Sequence, residues 1–387
     1  MNLSFWEYKT WFSNIDFAVI GSGIVGLNCA LELRKKYPKS KIVVFERGML
    51  PSGASTKNAG FACFGSISEI LEDLKNHSEE EVIQLVKSRV DGLKLLRSTL
   101  GDEQLDYKEY GGYELFTKED GELFNTCNAH IKYVNELLKP IFGADVFSES
   151  GNNFGFKNIQ PKLIYSKFEG QIDTGKMMLG LIKKASEEHI LILNSSEITG
   201  ISDNGECVSL QLNSSETLQH FDSAQHRQDQ YSIAVKKVFI ATNGFAKQFL
   251  DEDVKPARAQ VLVTKPIENL QVKGTFHLDK GYYYFRNIDN RILFGGGRNL
   301  DFKTEETTEM ELTQLVQERL EQLLKTVILP DQSFEIEQRW SGIMGIGNQK
   351  KPILKAVSKN IFCGVRLGGM GVAIGSSIGK QLACLYD

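Results

Sequence analysis

Three glycines and one acid carry the clearest chemistry in this chain: Gly21, Gly23 and Gly26 in the run GSGIVG, and Glu46, about twenty residues beyond Gly26. Their spacing suits a dinucleotide. Gly21 permits a tight turn, Gly23 lets the backbone approach a pyrophosphate, and Gly26 allows a helix to pack closely on a strand. Ile24 opens that helix, whose free N–H groups and positive dipole end hold the pyrophosphate. Glu46 stands where a carboxylate would bind a ribose hydroxyl. The elements that must position these groups are legible on either side: an apolar strand over 17–20, a helix from the glycine run onward, and a second strand over 41–45. A GxGxxG run alone also describes a glycine-rich turn of an unrelated α/β domain. Two strands, a helix and the acid together make it a nucleotide site.

The chain has 387 residues, enough for two domains or one large interleaved body. Its net charge of −4 argues against a nucleic-acid-binding surface. The six cysteines (Cys29, Cys63, Cys127, Cys207, Cys363, Cys384) form no C-x-x-C pair, which suggests a reduced, cytoplasmic protein rather than a disulfide framework or a zinc site. The six histidines are isolated, so no metal centre is expected. The first sixteen residues do not read as a signal peptide. No stretch of ~20 apolar residues offers a membrane span. Phe5, Trp6, Trp11 and Phe12 suit a short amphipathic helix packed on its own domain.

Further along, helical periodicity covers 68–100, a strand 110–117, and a helix 118–138 stopped by Pro140. Asp173 or Thr174 caps a helix over 176–188. Short strands follow at 190–193, 198–201 and 207–212, then a polar hairpin loop over 213–230 and a buried strand over 235–241. A β-rich block follows, with strands at 259–265, 281–286 and 291–294, a helix over 305–325 and a strand over 334–342. A final strand, 360–364, runs into Gly368-Gly369-Met370-Gly371 and a last helix. A nucleotide-binding unit therefore opens the chain, and a second glycine-rich strand-to-helix turn closes it. This order implies an α/β fold: a Rossmann-like domain built from the discontinuous segments 1–75, 165–250 and 335–387. An α+β substrate domain with an antiparallel sheet fills 76–164 and 251–334.

Five places resemble one family in order along nearly the whole chain. They are the fingerprint ending in Glu46-Arg47, the loop GASTKNAG at 53–60, VFIATNG at 238–244, PARAQV at 256–261, and the turn at 368–371. The chain is identified from them as a member of the FAD-dependent oxidoreductases of the D-amino-acid-oxidase type, which include glycine, sarcosine and γ-glutamylputrescine oxidases. The resemblance implies noncovalent FAD. Gly21, Gly23, Ile24, Gly26, Glu46 and Arg47 would hold its ADP half, and the backbone at Ile198 would read adenine. Ser55, Asn58, Ala59 and Gly60 would approach the pyrophosphate and flavin. Gly369, Met370, Gly371 and Val372 would aim a helix N-terminus at the flavin's pyrimidine edge, where the dipole stabilises negative charge.

In this family a hydride passes from the carbon bearing an amine to flavin N5, and the imine hydrolyses; the protein supplies orientation and electrostatics. The implied substrate is a small amine or amino acid, with oxygen or another electron acceptor completing the cycle. The run Gly281-Tyr282-Tyr283-Tyr284-Phe285-Arg286 is the candidate for orienting it. Tyr282, Tyr284 and Arg286 share one strand face, and Tyr283 and Phe285 the other. One pattern within the family singles out Tyr283, another Arg286; ordinary strand packing is the alternative to both. Lys57 is a candidate cation near N5, or a solvated loop lysine. In family members that oxidise small amino acids, arginines that clamp a carboxylate align near Met344 and Gly369. Both are absent here, and Arg339 and Arg366 are possible substitutes. Two other readings stand beside amine oxidation: a 2-hydroxy-acid or glycerol-phosphate-type dehydrogenase, and a flavin-binding module without turnover.

Overall fold

The computed structural model describes residues 3–214 and 231–386; most of the polar loop expected over 213–230 lies outside them. The chain divides into two compact units. The first comprises Met1–Thr56, Gly175–Pro256 and Met344–Asp387, and the second Lys57–Thr174 and Ala257–Ile343.

At the centre of the first unit lies the strand Ile15–Ile20. It pairs in parallel with Ile42–Phe45 on one side and Tyr231–Ile240 on the other. Leu191–Leu193 extends the sheet in parallel beyond Ile42–Phe45, and Ile361–Val365 beyond Tyr231–Ile240. Parallel strands covered on both faces read as unbroken apolar runs, and every residue of Ile42–Phe45 and Ile361–Val365 is buried. The helices Ile24–Lys36 and Gly371–Cys384 pack against one another unusually closely. A Cβ on Gly375 would stand 2.7 Å from Ile24 Cγ2, and one on Gly379 2.5 Å from the Val25 carbonyl oxygen. Glycines one helical turn apart on one face therefore let the first and last helices of the chain touch backbone to backbone.

The second unit holds an eight-stranded sheet. Lys255–Thr264, Arg291–Gly296, Tyr283–Ile288 and Thr275–Leu278 follow one another antiparallel, and Gly112–Glu114 joins the last of them in parallel. The period of two sorts the side chains onto two faces. Leu262, Phe276, Tyr283, Phe285, Ile292 and Phe294 pack under the helix Gln314–Leu323. Val261, Val263, Tyr284 and Leu293 gather with Ala59, Phe61 and Trp340 on the opposite face.

Several local expectations change. Residues 57–75, expected with the nucleotide-binding segments, lie in the second unit. There Phe61–Ala62 pairs with Gly170–Gln171, and Ser68 bonds Glu114. The helix expected over 68–100 is two helices, Ile67–Leu74 and Glu79–Leu100, because Ser78 and Glu81 form a capping box that restarts the chain. Pro140 lies inside Ile131–Phe142 rather than ending it; the stop is Gly143 at φ 70°. The helix expected from 305 begins at Gln314, since Glu305 is drawn into a buried ion pair with Arg258 at 2.7 Å. At the N-terminus the aromatics form a short turn, Phe5–Glu7, and a wider one, Tyr8–Phe12, in which only Phe12 is buried.

Candidate active site

In the first unit the strand Ile15–Ile20 delivers Gly21 at φ +100°, a conformation that L side chains avoid. A Cβ there would stand 3.0 Å from the Ala241 carbonyl oxygen, and one on Gly26 would stand 1.9 Å from the Gly21 carbonyl oxygen. A Cβ on Gly23 would meet Ser55 Oγ at 2.8 Å. Ser55 Oγ in turn accepts a hydrogen bond from the Ile24 N–H at 3.0 Å, at the first turn of the helix. The chain thus forms a cradle with no room for side chains, its first helical N–H tied to Ser55 Oγ.

Glu46 ends the second strand, buried, with both carboxylate oxygens engaged. Oε2 accepts from the Ser22 N–H (3.1 Å) and hydroxyl (2.7 Å); Oε1 accepts from the Gly48 N–H (2.9 Å) and the Ser52 hydroxyl (3.2 Å). Two of these donors are hydroxyl rotors, which can turn aside for the hydroxyls of a ribose. Next to it, the Arg47 guanidinium stacks 3.7 Å from the Phe245 ring centroid. Ile198 is buried in Ser196–Asp203, opposite a register shift between Gln211 and Leu212. Gly368 and Gly369 take φ +59° and +83° before the last helix, which starts at Gly371 with Met370 as its cap and Val372 already buried. Met344 Sδ lies 3.4 Å from where a Gly369 Cβ would be. Arg366 is committed to structure: it donates to the carbonyls of Asp253 and Lys351 and pairs with the Asp253 carboxylate at 3.1 Å.

Within the second unit Gly60 takes φ +72°, and a Cβ there would stand 2.3 Å from the Ile172 carbonyl oxygen and 3.0 Å from Arg286 Nη2. Asn58 Oδ1 accepts from the Gly60 N–H (2.8 Å) and the Thr174 hydroxyl (2.9 Å). Lys57 is half-buried, and its carbonyl accepts from Trp340 Nε1 at 2.9 Å. Ala59 is buried against Val261, Val263 and Leu293. Arg286 and Tyr284 rise on this face, Tyr284 with its ring edge-on to Phe61 and its phenol pushed up to about 12 by burial. Tyr283 points the other way, into the core under the helix Gln314–Leu323, with its hydroxyl bonded to Arg319. Arg339 is held by Gln317 and Glu321 at 2.6 and 2.7 Å.

The structure also assembles a cluster that sequence reasoning missed. His277 Nε2 lies 2.9 Å from Glu169 Oε2, which also accepts from the Thr275 hydroxyl at 3.0 Å. Burial opposes a charged imidazole, but Glu169 overcomes it and holds His277 up at about 9. Glu114, bonded to Ser68, is pushed by burial to about 7. These residues lie on separate strands and loops, and no spacing announces them.

The comparisons with known proteins fall on this framework. Residues 16–385 match the family described as FAD dependent oxidoreductase. The chain belongs to that family. As a member of it, the protein is an FAD-dependent oxidoreductase, and FAD supplies the electron-pair acceptor. Two curated relatives span most of the chain. It is 24% identical to gamma-glutamylputrescine oxidoreductase of Escherichia coli (strain K12), over 95% of this chain and 82% of that protein. It is 21% identical to the probable oxidoreductase OrdL of Haemophilus influenzae, over 97% and 83%. Among solved structures, glycine oxidase from Geobacillus kaustophilus superposes with a TM-score of 0.72 at 18% identity, covering 96% of this chain and 94% of that one. At that identity the likeness shows a shared fold. The glycine cradle, the buried Glu46 and the helix N-terminus at Ile24 suit the FAD of this family. Among the described residues no helix is long and apolar enough to cross a membrane.

Proposed function

We propose that this FAD-dependent oxidoreductase oxidises a small amine or amino acid. The C–H next to nitrogen loses a hydride and the nitrogen a proton; water then hydrolyses the resulting imine to a carbonyl compound and an amine or ammonia. The observation that carries this reading is the match along 95% of the chain to gamma-glutamylputrescine oxidoreductase, joined to a glycine cradle shaped for a dinucleotide. The chain's own part is orientation. Of the candidates, Arg286 and Lys57 remain for substrate and cofactor, because Tyr283 is committed to the helix-side core and Arg339 and Arg366 to structural bonds. A hydroxy-acid dehydrogenase would want a histidine base near the reacting carbon. His277 is paired with Glu169 at 2.9 Å, which holds it up at about 9. FAD is held without a covalent bond in this reading: Cys63 is buried and its thiol pushed well up by desolvation, a poor nucleophile.

The test is spectroscopic. The purified yellow protein is mixed anaerobically with primary and secondary amines, amino acids and 2-hydroxy acids while the flavin band is followed. Bleaching by an amine or amino acid supports the proposal, and readmitting air then separates oxidase from dehydrogenase. Bleaching only by hydroxy acids, or by nothing, sinks it.

A further inference from the structure

Residues 4–11 form an exposed stretch on the first unit whose large side chains are aromatic. Phe5 and Trp6 are each 67% exposed, Tyr8 45% and Trp11 39%. The stretch is nevertheless anchored. Ser4 and Glu7 form a capping box at its start. Phe12 fixes its end in the core, edge-on to Tyr231. Lys41 Nζ donates to the carbonyls of Thr10 and Ser13, both at 2.7 Å. Four large rings held in water on an anchored turn reverse the ordinary arrangement, in which the apolar side of a helix faces the core. Positions 5, 6, 8 and 11 do not share one helical face. A groove that reads i, i+3, i+4 and i+7 would meet only some of them, whereas a fluid apolar medium meets them all.

The sheet edge from which this stretch projects is basic. Ser13 leads into Ile15–Ile20, Lys39 and Lys41 into Ile42–Phe45, and Lys359 into Ile361–Val365, all parallel strands that start at the same edge. Lys236 stands where Tyr231–Ile240 first comes alongside Ile15. Lys9 adds a fifth cation, its Nζ 5.7 and 5.8 Å from the ring centroids of Phe5 and Trp6. The acids at this edge are already engaged: Glu7 with the Ser4 N–H, Asp16 with Lys236 at 2.8 Å and the Lys41 N–H at 2.7 Å, and Asp203 with Ser358 and Asn360. On a chain with a net charge of −4, lysines around exposed Trp, Tyr and Phe make a surface suited to the headgroup layer of an anionic bilayer. A second copy suits it less, because a two-fold contact would set the patch against itself and lysine against lysine.

We infer that residues 5–11 are an interfacial anchor that docks the first unit on an anionic lipid surface. The aromatic rings enter the boundary between headgroups and acyl chains, and Lys9, Lys39, Lys236 and Lys359 face the headgroup phosphates. The anchor lies on the bilayer and spans nothing, as its length requires. Gly21 leaves the opposite edge of the sheet, the six residues of Ile15–Ile20 away, roughly 20 Å of strand. Docking therefore keeps the glycine turn on the side away from the lipid. The inference is independent of which substrate the flavin oxidises.

The experiment is flotation of the FAD-loaded full chain with vesicles of phosphatidylcholine alone and of an equal mixture of phosphatidylcholine and phosphatidylglycerol, at low and high salt. Wild type partitions to the mixed vesicles at least ~10-fold more strongly than to phosphatidylcholine, and salt weakens it. Tryptophan emission shifts to the blue as Trp6 and Trp11 leave water. The double variant W6S/W11S binds ~10-fold or more weakly with its flavin content unchanged, since both rings are exposed. K39Q and K359Q each weaken binding about 5-fold. Absence of flotation, or equal flotation with the two kinds of vesicle, overturns the anchor on wild type alone, so a variant that misfolds does not leave the matter open. Equal binding by folded W6S/W11S and wild type overturns it as well. A dimer seen by light scattering that W6S/W11S dissociates, with no vesicle binding, assigns the face to a second copy and also overturns the anchor.

Discussion

At the scale of single residues, the glycine turn proposed to cradle the nucleotide is defined by atoms that are missing. Gly26 faces the Gly21 carbonyl at a distance no Cβ survives, 1.9 Å. G26A is therefore expected to push the helix off its strand, costing ~1–3 kcal/mol of stability and most of the bound FAD; the flavin-to-protein absorbance ratio of the purified variant reads the second effect directly. Glu46 behaves differently. Its loss leaves the Ser22 and Gly48 donors unpaired, so E46A is expected to weaken FAD about 10- to 100-fold, as measured by fluorescence recovery on titrating FAD out of apoprotein. E46Q keeps the shape but brings N–H groups against donors, and it should not rescue binding. The glycines and the acid were legible in the sequence because backbone clearance leaves few residue choices. Arg286 was legible only as one of two candidates: alternation separated it from Tyr283, and only packing against the helix Gln314–Leu323 showed which face each takes.

At the scale of elements, two buried polar groupings hold the second unit together. Arg258 and Glu305 are 3% and 2% exposed and joined at 2.7 Å, with Gln260 bonded to the same carboxylate. E305A strands a buried guanidinium, and denaturant unfolding should show a loss of ~3–5 kcal/mol. The second grouping imposes a pH dependence. His277 titrates near 9 in the folded chain against an ordinary 6.5, so its contribution is complete below about 6.5 and vanishes as pH rises through about 9. Glu114 is also raised, to about 7 from 4.5; its folded form holds a proton that the unfolded chain releases, so stability falls between those values. Both slopes have the same sign. The unfolding midpoint is expected to decline from pH 5 to pH 9, by at most ~1.4 kcal/mol per pH unit for each group. H277Q should flatten the upper half of that range and E114Q the lower. A wild-type profile that rises over this range would contradict both assignments.

At the scale of the whole molecule, the first unit is built from three separate stretches of chain, so a cofactor held there, as proposed, and the fold should report on each other. Removing FAD is expected to lower the thermal unfolding midpoint, and FAD at a hundredfold excess over its dissociation constant should restore ~2.7 kcal/mol; NAD, with a nicotinamide in place of the flavin, should shift it far less. The sequence by itself determined the parts of this protein whose physics is local. Backbone clearance, strand and helix periodicity and turn glycines placed the fingerprint, the closing glycine turn and the alternation along Tyr282–Arg286. Tertiary structure alone decided what depends on contacts between distant stretches. Residues 57–75 joined the second unit because Phe61–Ala62 found a partner strand at Gly170–Gln171. The helix expected from 305 retreated to Gln314 because Arg258 claimed Glu305. His277 met Glu169, and among the described residues Arg286 was left buried without an ion pair, because pairing among buried charges is settled by which strands lie side by side, and single-residue chemistry carries no record of that register.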